Sequence, residues 1–244
     1  MIRIGTSGWT YQHWRGTFYP ENLPQREWLE YYAEQFDTVE LNASFYRIPK
    51  SGVSESWKRR TPDAFRFSVK MSRLITHVHR LEHCEEVMKW FFEALAPLSE
   101  KITAFLLQLP PSLCPEPPAL RAFLEQLPPG SRYVFEFRNP DAYRGAIPEI
   151  LSEHGAGFCI HDLTGLESPL LVTSNLVYVR FHGHRGRYAG SYPDELLYEW
   201  VKRIMVWTEQ GRDVLCYFNN DIGGNAVHNA QTLRSFLEKN GLQG

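Results

Sequence analysis

Cysteine is scarce. The 244 residues carry four, Cys84, Cys114, Cys159 and Cys216, and none forms a Cys-x-x-Cys pair. That argues against a disulfide framework and a thiolate metal knuckle, and it points to a reducing compartment. Cys159 and Cys216 lie in apolar runs and read as small buried hydrophobes. An excess of one charge is also lacking. With 26 Lys and Arg against 28 Asp and Glu, the formal net charge is −2. No global basic field draws in nucleic acid, so any anion site must be local. No apolar run is long enough to cross a bilayer. A strand is expected from Ile2 onward, which leaves no room for a signal peptide. A cytoplasmic protein without a membrane partner is therefore expected. Three signature motifs are missing as well. The turn after the first strand reads Gly5-Thr6-Ser7-Gly8-Trp9, not the G-x-G-x-x-G of a dinucleotide site. No H-E-x-x-H and no G-x-S-x-G is present, so neither a zincin helix nor a nucleophile elbow is encoded.

What is present is alternation. Eight short β-rich runs are predicted: Ile2–Thr6, Thr38–Asn42, Phe65–Lys70, Thr103–Leu109, Tyr133–Arg138, Gly157–His161, Leu176–His182 and Val214–Asn219. Every run but the sixth precedes an amphipathic stretch with i, i+4 apolar spacing. Examples are Trp28, Tyr32 and Phe36; Cys84, Met88, Phe92 and then Leu95; and Trp200, Ile204 and Trp207. Alternating β and α units imply a parallel sheet covered by helices. Eight units in this length favour one closed (β/α)₈ TIM-type barrel over residues 1–244, rather than an open doubly wound sheet. The connection Asp162–Asn175 is short and poorly helical, so the βα unit near 162–175 is expected to be degenerate.

Side chains on a strand alternate faces with period two. One phase must meet the helices, so the other points into the barrel. The inward phase holds Glu40 and Asn42, Ser68 and Lys70, Glu136 and Arg138, Arg180 and His182, and Tyr217 and Asn219. These residues fall late in their strands, at the end where barrel active sites are built. Ser7, Trp9, Tyr46, His77 and Gln108 follow or close strands at the same end. Glu40 and Glu136 are candidates for acid and base, and His182 for a proton donor. Ser7, Trp9, Asn42, Tyr46, Lys70, His77, Gln108, Arg138, Arg180, Tyr217 and Asn219 are candidate ligand contacts. Trp9 and Trp14 are expected as stacking walls. The basic segment His184-Arg185-Gly186-Arg187 suits phosphate, as does the glycine-rich entry to the last helix after Asp221. The alternative is a set of ion pairs that plug the barrel. Glu40, Glu136, Asp162, His182 and Asp221 are competent metal ligands. The cations Lys70, Arg138 and Arg180 share their phase and repel a divalent ion, so no cofactor is expected and a metal is the minor case.

Several of these residues belong to longer matches. In order these are Gly5-Thr6-Ser7-Gly8-Trp9, Tyr19-Pro20, Val39-Glu40-Leu41-Asn42 with Phe45-Tyr46, and Phe67-Ser68-Val69-Lys70. Gln108-Leu109-Pro110-Pro111, Glu136-Phe137-Arg138, Arg180-Phe181-His182-Gly183 and Tyr217-Phe218-Asn219-Asn220 follow. The combination resembles the YecE-like family (domain of unknown function 72) over nearly the whole chain. The resemblance implies a TIM barrel and no established reaction. That fold's distant likeness to barrel endonucleases acting at abasic sites implies, by analogy alone, a DNA-binding alternative. The sequence departs from the family where the segment after Asp162 is compressed.

Three functions follow, in order. The first is an enzyme, such as a hydrolase, or a binder for a small anionic ligand carrying a phosphate or sugar phosphate. The second is a nucleic-acid binding or processing protein acting on abasic or single-stranded DNA. The third is a non-enzymatic scaffold. The pattern specifies no oligomeric state.

Overall fold

Apolar and polar side chains alternate along the strands, and that alternation sets the two faces of the barrel. The computed structural model describes residues 1–163, 165–184, 186 and 188–242. Its strands are β1 (Ile2–Thr6), β2 (Thr38–Leu41), β3 (Arg66–Lys70), β4 (Ile102–Gln108), β5 (Tyr133–Glu136), β6 (Gly157–Leu163), β7 (Leu166–Glu167), β8 (Leu176–Phe181) and β9 (Asp213–Phe218). The helices are α1 (Trp28–Gln35), the single turn α2 (Ala43–Tyr46), α3 (Ser51–Arg59), α4 (Glu85–Leu95), α5 (Pro117–Gln126), α6 (Ala146–Glu153), α7 (Asp194–Glu209) and α8 (Asn225–Lys239). Eight parallel strands pair in the order β1-β9-β8-β6-β5-β4-β3-β2. A bridge between Ser7 and Glu40 brings the two ends together. The result is a nearly closed (β/α)₈ barrel.

The expected degenerate unit has a definite form. Strand β6 runs two residues longer than predicted and folds back on β7, pairing Asp162 with Glu167 and Leu163 with Leu166. The chain then reaches β8 with no helix among the described residues. The other predicted strands stand within one or two residues of their expected ends.

The outer phase (Phe135, Phe137, Val177, Val179, Phe181) packs with the helix faces in one large core. Trp28, Tyr32, Phe36, Ile204 and Leu237 contribute from the helices. On α4 the buried face is Val87, Met88, Phe91 and Leu95 after Cys84, and Phe92 sits at its edge. The inner phase forms a second apolar cluster: Ala104, Leu106, Val134, Cys159, Leu176, Tyr178, Leu215 and Tyr217. Above that floor the lumen becomes polar. Ser68 Oγ lies 2.7 Å from Tyr178 Oη, and Thr38 Oγ1 lies 2.8 Å from Tyr217 Oη.

Gly5 governs the seam between β1 and β2. A Cβ at this position would lie 2.3 Å from the Thr38 carbonyl oxygen. Gly5→Ala must therefore push the two strands apart, at an expected cost of about 1–3 kcal/mol. Urea unfolding measures this. An unchanged midpoint would show that the seam tolerates separation. Among the described residues no helix is long and apolar enough to cross a membrane.

Candidate functional site

The carboxyl ends of the strands bring most of the predicted polar residues together, in two levels. The lower level is an ion-pair network across the lumen. Arg180, on β8, donates from Nε and Nη2 to Glu40 on β2, at 3.0 and 2.7 Å. Its Nη1 donates to Glu136 Oε2 on β5 at 2.5 Å. Ser7 Oγ and Tyr178 Oη also donate to Glu40, at 2.8 and 2.7 Å. Tyr178 has one hydroxyl proton and gives it to Glu40, so Ser68 must donate to Tyr178. Glu136 also pairs with Arg138. Burial alone would raise the Glu136 carboxyl. Arg138 and Arg180 outweigh burial and hold it well below the usual glutamate range. Arg180 is 1% exposed and both glutamates 0%.

This arrangement changes the expected roles. Both oxygens of Glu40 are engaged by four donors, so the carboxylate presents no free lone pair to the lumen. Glu136 is held between two guanidiniums. Both carboxylates expected as acid and base stand in ion pairs with Arg180 and form a brace, the arrangement weighed from the sequence as a plug. Its physical reason is Arg180, whose five donors bridge two strands on either side of the lumen.

The upper level is a cavity of about 450 Å³ resting on that brace. Lys70, Arg138 and Arg180 supply its cationic wall, and Asn42 and Asn219 its amides. Tyr11, Tyr46, Tyr188, Asp221 and Ile222 form the mouth, with Tyr46 75% exposed. Of the predicted contacts, Asn42, Tyr46, Lys70, Arg138, Arg180 and Asn219 therefore line one space. A larger cavity of about 520 Å³ lies by Tyr133 and Leu176, at the amino ends of β5 and β8. Barrel sites are not built at that end.

Lys70 Nζ donates to Gln108 Oε1 at 3.0 Å and sits 4.0 Å from the Phe45 ring centroid. Gln108 is oriented in turn by its Nε2 donating to the Leu109 carbonyl at 2.8 Å. Burial first, then the nearby Arg180 charge, pull the Lys70 ammonium down to about 7. Arg138 Nε and Asn42 Oδ1 are buried and have no hydrogen-bond partner among the described residues.

His182 is fully buried. Its Nε2 lies 3.1 Å from Arg138 Nη2, and its Nδ1 lies 3.2 Å from the Asn219 amide. Arginine only donates, so Nε2 accepts. Burial drives the ring's pKa from 6.5 to about 3. His182, expected as a proton donor, is held neutral here and accepts from Arg138 at Nε2. Its own backbone N–H donates to Asp162 Oδ1 at 2.7 Å, and Tyr192 Oη donates to Oδ2 of the same carboxylate at 2.5 Å.

Other predicted contacts lie elsewhere. Ser7 and Tyr217 are in the brace and the floor beneath the cavity. His77 stands behind Phe45, with ring centroids 5.1 Å apart, and its Nδ1 lies 2.9 Å from Thr76 Oγ1. Trp9 packs edge-on against Trp57 of α3 at 6.1 Å. Trp14 is fully buried, and its Nε1 donates to the Asp221 carbonyl at 3.1 Å. Neither tryptophan is among the residues lining the cavity, because the outer apolar core takes Trp14 and α3 takes Trp9. Arg185 and Arg187 of the basic loop lie outside the described residues.

Sequence reasoning placed Asp221 at this end as a competent metal ligand, and it assigned no contact to Tyr11 or Tyr188. Tyr188 has φ +63°, a backbone conformation rare for a non-glycine residue. Its N–H donates to the His182 carbonyl at 2.6 Å, and its ring lies 5.6 Å from the His182 ring. A loop residue in that conformation leaves no periodic signal. Among the described residues no three His, Cys, Asp or Glu side chains gather as a metal site.

The chain resembles known proteins over its full length. It is 29% identical to UPF0759 protein YunF of Bacillus subtilis, covering 98% of this chain and 95% of that one. UPF0759 protein YecE of Escherichia coli is 35% identical over 59% of this chain and 50% of its own length. A crystal structure of a DUF72 family protein from Thermotoga maritima superposes with a TM-score of 0.88 at 30% identity, over 98% of this chain and 99% of that one. A DUF72 family protein from Enterococcus faecalis, 23% identical, has the same fold, with a TM-score of 0.84 over 98% of this chain and 96% of that one. The family described as Protein of unknown function DUF72 matches residues 3–243, and the chain belongs to that family.

Proposed function

We propose that the cavity above the Glu40–Arg180–Glu136 brace binds a small anionic ligand, a phosphate or sugar phosphate, as an enzyme or a binder. One observation carries this reading. Two fully buried carboxylates, Glu40 and Glu136, face three cations, Asp221 stands at the mouth, and among the described residues Lys70 belongs to none of the ion pairs. Lys70, when protonated, has no carboxylate partner of its own, and Arg138 Nε keeps an unused N–H. An anion entering from water would meet both in a partly desolvated setting, where charge-assisted hydrogen bonds are strong. Asn42 Oδ1 and the Asp221 carboxylate offer acceptors for hydroxyls, and the tyrosines offer faces for a sugar ring. The brace supports the same reading, because it fixes Arg138 from below through Glu136.

Thermal-shift titration tests this proposal. Phosphate, sulfate and sugar phosphates should raise the unfolding midpoint by mass action. Arg138→Ala should weaken binding at least about tenfold, since a charged hydrogen bond is lost while Arg180 still pairs Glu136. A midpoint indifferent to every anion would sink the proposal. A response confined to an abasic oligonucleotide in the same screen would favour a nucleic-acid ligand.

A further inference from the structure

Lys70 differs from the other cations of the lumen. Arg138 and Arg180 are each paired with a carboxylate, whereas no carboxylate oxygen among the described residues comes within 4.0 Å of Lys70 Nζ. The amine is nearly buried, lines the cavity, and is aimed by a single hydrogen bond to Gln108 Oε1. Phe45 covers it on one side. An amine kept for electrostatics would be expected to sit against a counter-ion, and among the described residues this one does not.

We propose that Lys70 is a nucleophile that forms an imine with a small aldehyde or ketone whose carboxylate or phosphate rests on Arg138. This deepens the anion-site reading and rests on it. The Nζ lone pair adds to the carbonyl carbon and gives a carbinolamine. The C–O bond then breaks, the oxygen leaves as water with the two protons Nζ carried, and a C=N bond remains. Amine plus carbonyl becomes imine plus one water, with no oxidant or reductant. The step needs a neutral amine, and the surroundings provide one near neutral pH. The groups around Nζ are Arg138 and Glu136 from β5, Arg180 from β8, Glu40 from β2, Gln108 from β4, Phe45 from α2 and His77 from the turn after β3. The Phe45 face favours the ammonium. Burial and the guanidiniums outweigh it and leave the pKa at about 7.

Reductive trapping on the full chain tests the proposal. The protein is incubated with glyoxylate or with glyceraldehyde 3-phosphate, in each case with cyanoborohydride, and the adducts are mapped by peptide mass. Lys70 should be labelled at least about tenfold faster than the exposed Lys89 at pH 7, because far more of its amine is neutral there. Its labelling rate should rise with pH and level off above about 7. Sulfate should slow Lys70 and leave Lys89 alone. The faster probe tells whether the carboxylate or the phosphate is preferred. Lys70→Arg should abolish this adduct, and mapping of the wild-type chain carries the test if that variant does not fold. Labelling of Lys70 no faster than of Lys89 with both probes overturns the proposal. If anions still raise the thermal midpoint in that case, only the nucleophile falls; if they do not, the anion site falls with it.

Discussion

Replacing Arg180 by methionine is expected to cost about 3–5 kcal/mol of folding stability at neutral pH. The side chain is 1% exposed and bridges Glu40 and Glu136, both fully buried. Methionine fills much of the volume but leaves two carboxylates in the lumen. Glu136 retains Arg138, while Glu40 retains only the hydroxyls of Ser7 and Tyr178. An uncompensated buried charge costs more than the lost hydrogen bonds themselves. The loss should shrink toward pH 5. Arg138 and Arg180 together hold Glu136 ionised against its burial; with one of them gone, proton uptake is easier, and a neutral carboxyl is cheaper to bury. Urea unfolding of wild type and variant at pH 7 and pH 5 decides the matter. A loss below about 1 kcal/mol at pH 7 would mean that the brace does not hold the lumen together.

The second large effect is a dependence on pH at His182. The folded ring titrates at about 3 against an ordinary 6.5, so the fold refuses a proton that the unfolded chain accepts. The stability this contributes is complete above pH 6.5 and drains away as pH falls toward 3. The slope is about 1.4 kcal/mol per pH unit for one proton, and the whole window is worth about 4–5 kcal/mol. Asp162 acts in the opposite sense. Burial lifts its carboxyl to about 6, so the fold gains from protonating it as pH falls. The wild-type curve mixes the two, and the contrast with His182→Gln separates them, because glutamine does not titrate. The stability gap between wild type and variant should narrow by about 3 kcal/mol between pH 6.5 and pH 4. Parallel curves would show that the ring is not held neutral by burial against Arg138.

The brace also explains how a barrel can place three cations in its lumen. Arg180 is neutralised by two carboxylates and becomes structure. Arg138 is tied to one of them and keeps an unused N–H. Lys70 is tied to neither. Burial and position grade three similar charges into three occupations. Both readings weighed from the inward phase therefore describe part of one arrangement, a plug below and a cavity above.

How much of this was legible in the residue order follows from the range of each interaction. Period-two alternation acts within one strand, so Val134-Phe135-Glu136-Phe137-Arg138 alone determined that the glutamate and arginine face away from the helices. The same local rule, repeated eight times, determined the barrel and the end at which Asn42, Lys70, Arg138 and Asn219 meet. Pairing across the lumen obeys no such rule. That Arg180 takes Glu40 from β2 and Glu136 from β5 depends on the circumference of the closed barrel. That pairing draws the two expected acid–base residues into one brace with Arg180. Tyr188 and Trp9 belong to loops, whose side chains go where the neighbouring elements leave room. Tyr188 enters the mouth on a left-handed backbone, and Trp9 turns away to Trp57. Sequence by itself determined which residues point inward and at which end they gather. Tertiary structure decided which of those charges neutralise one another and which stay unpaired, because electrostatic pairing depends on distance through space and not along the chain.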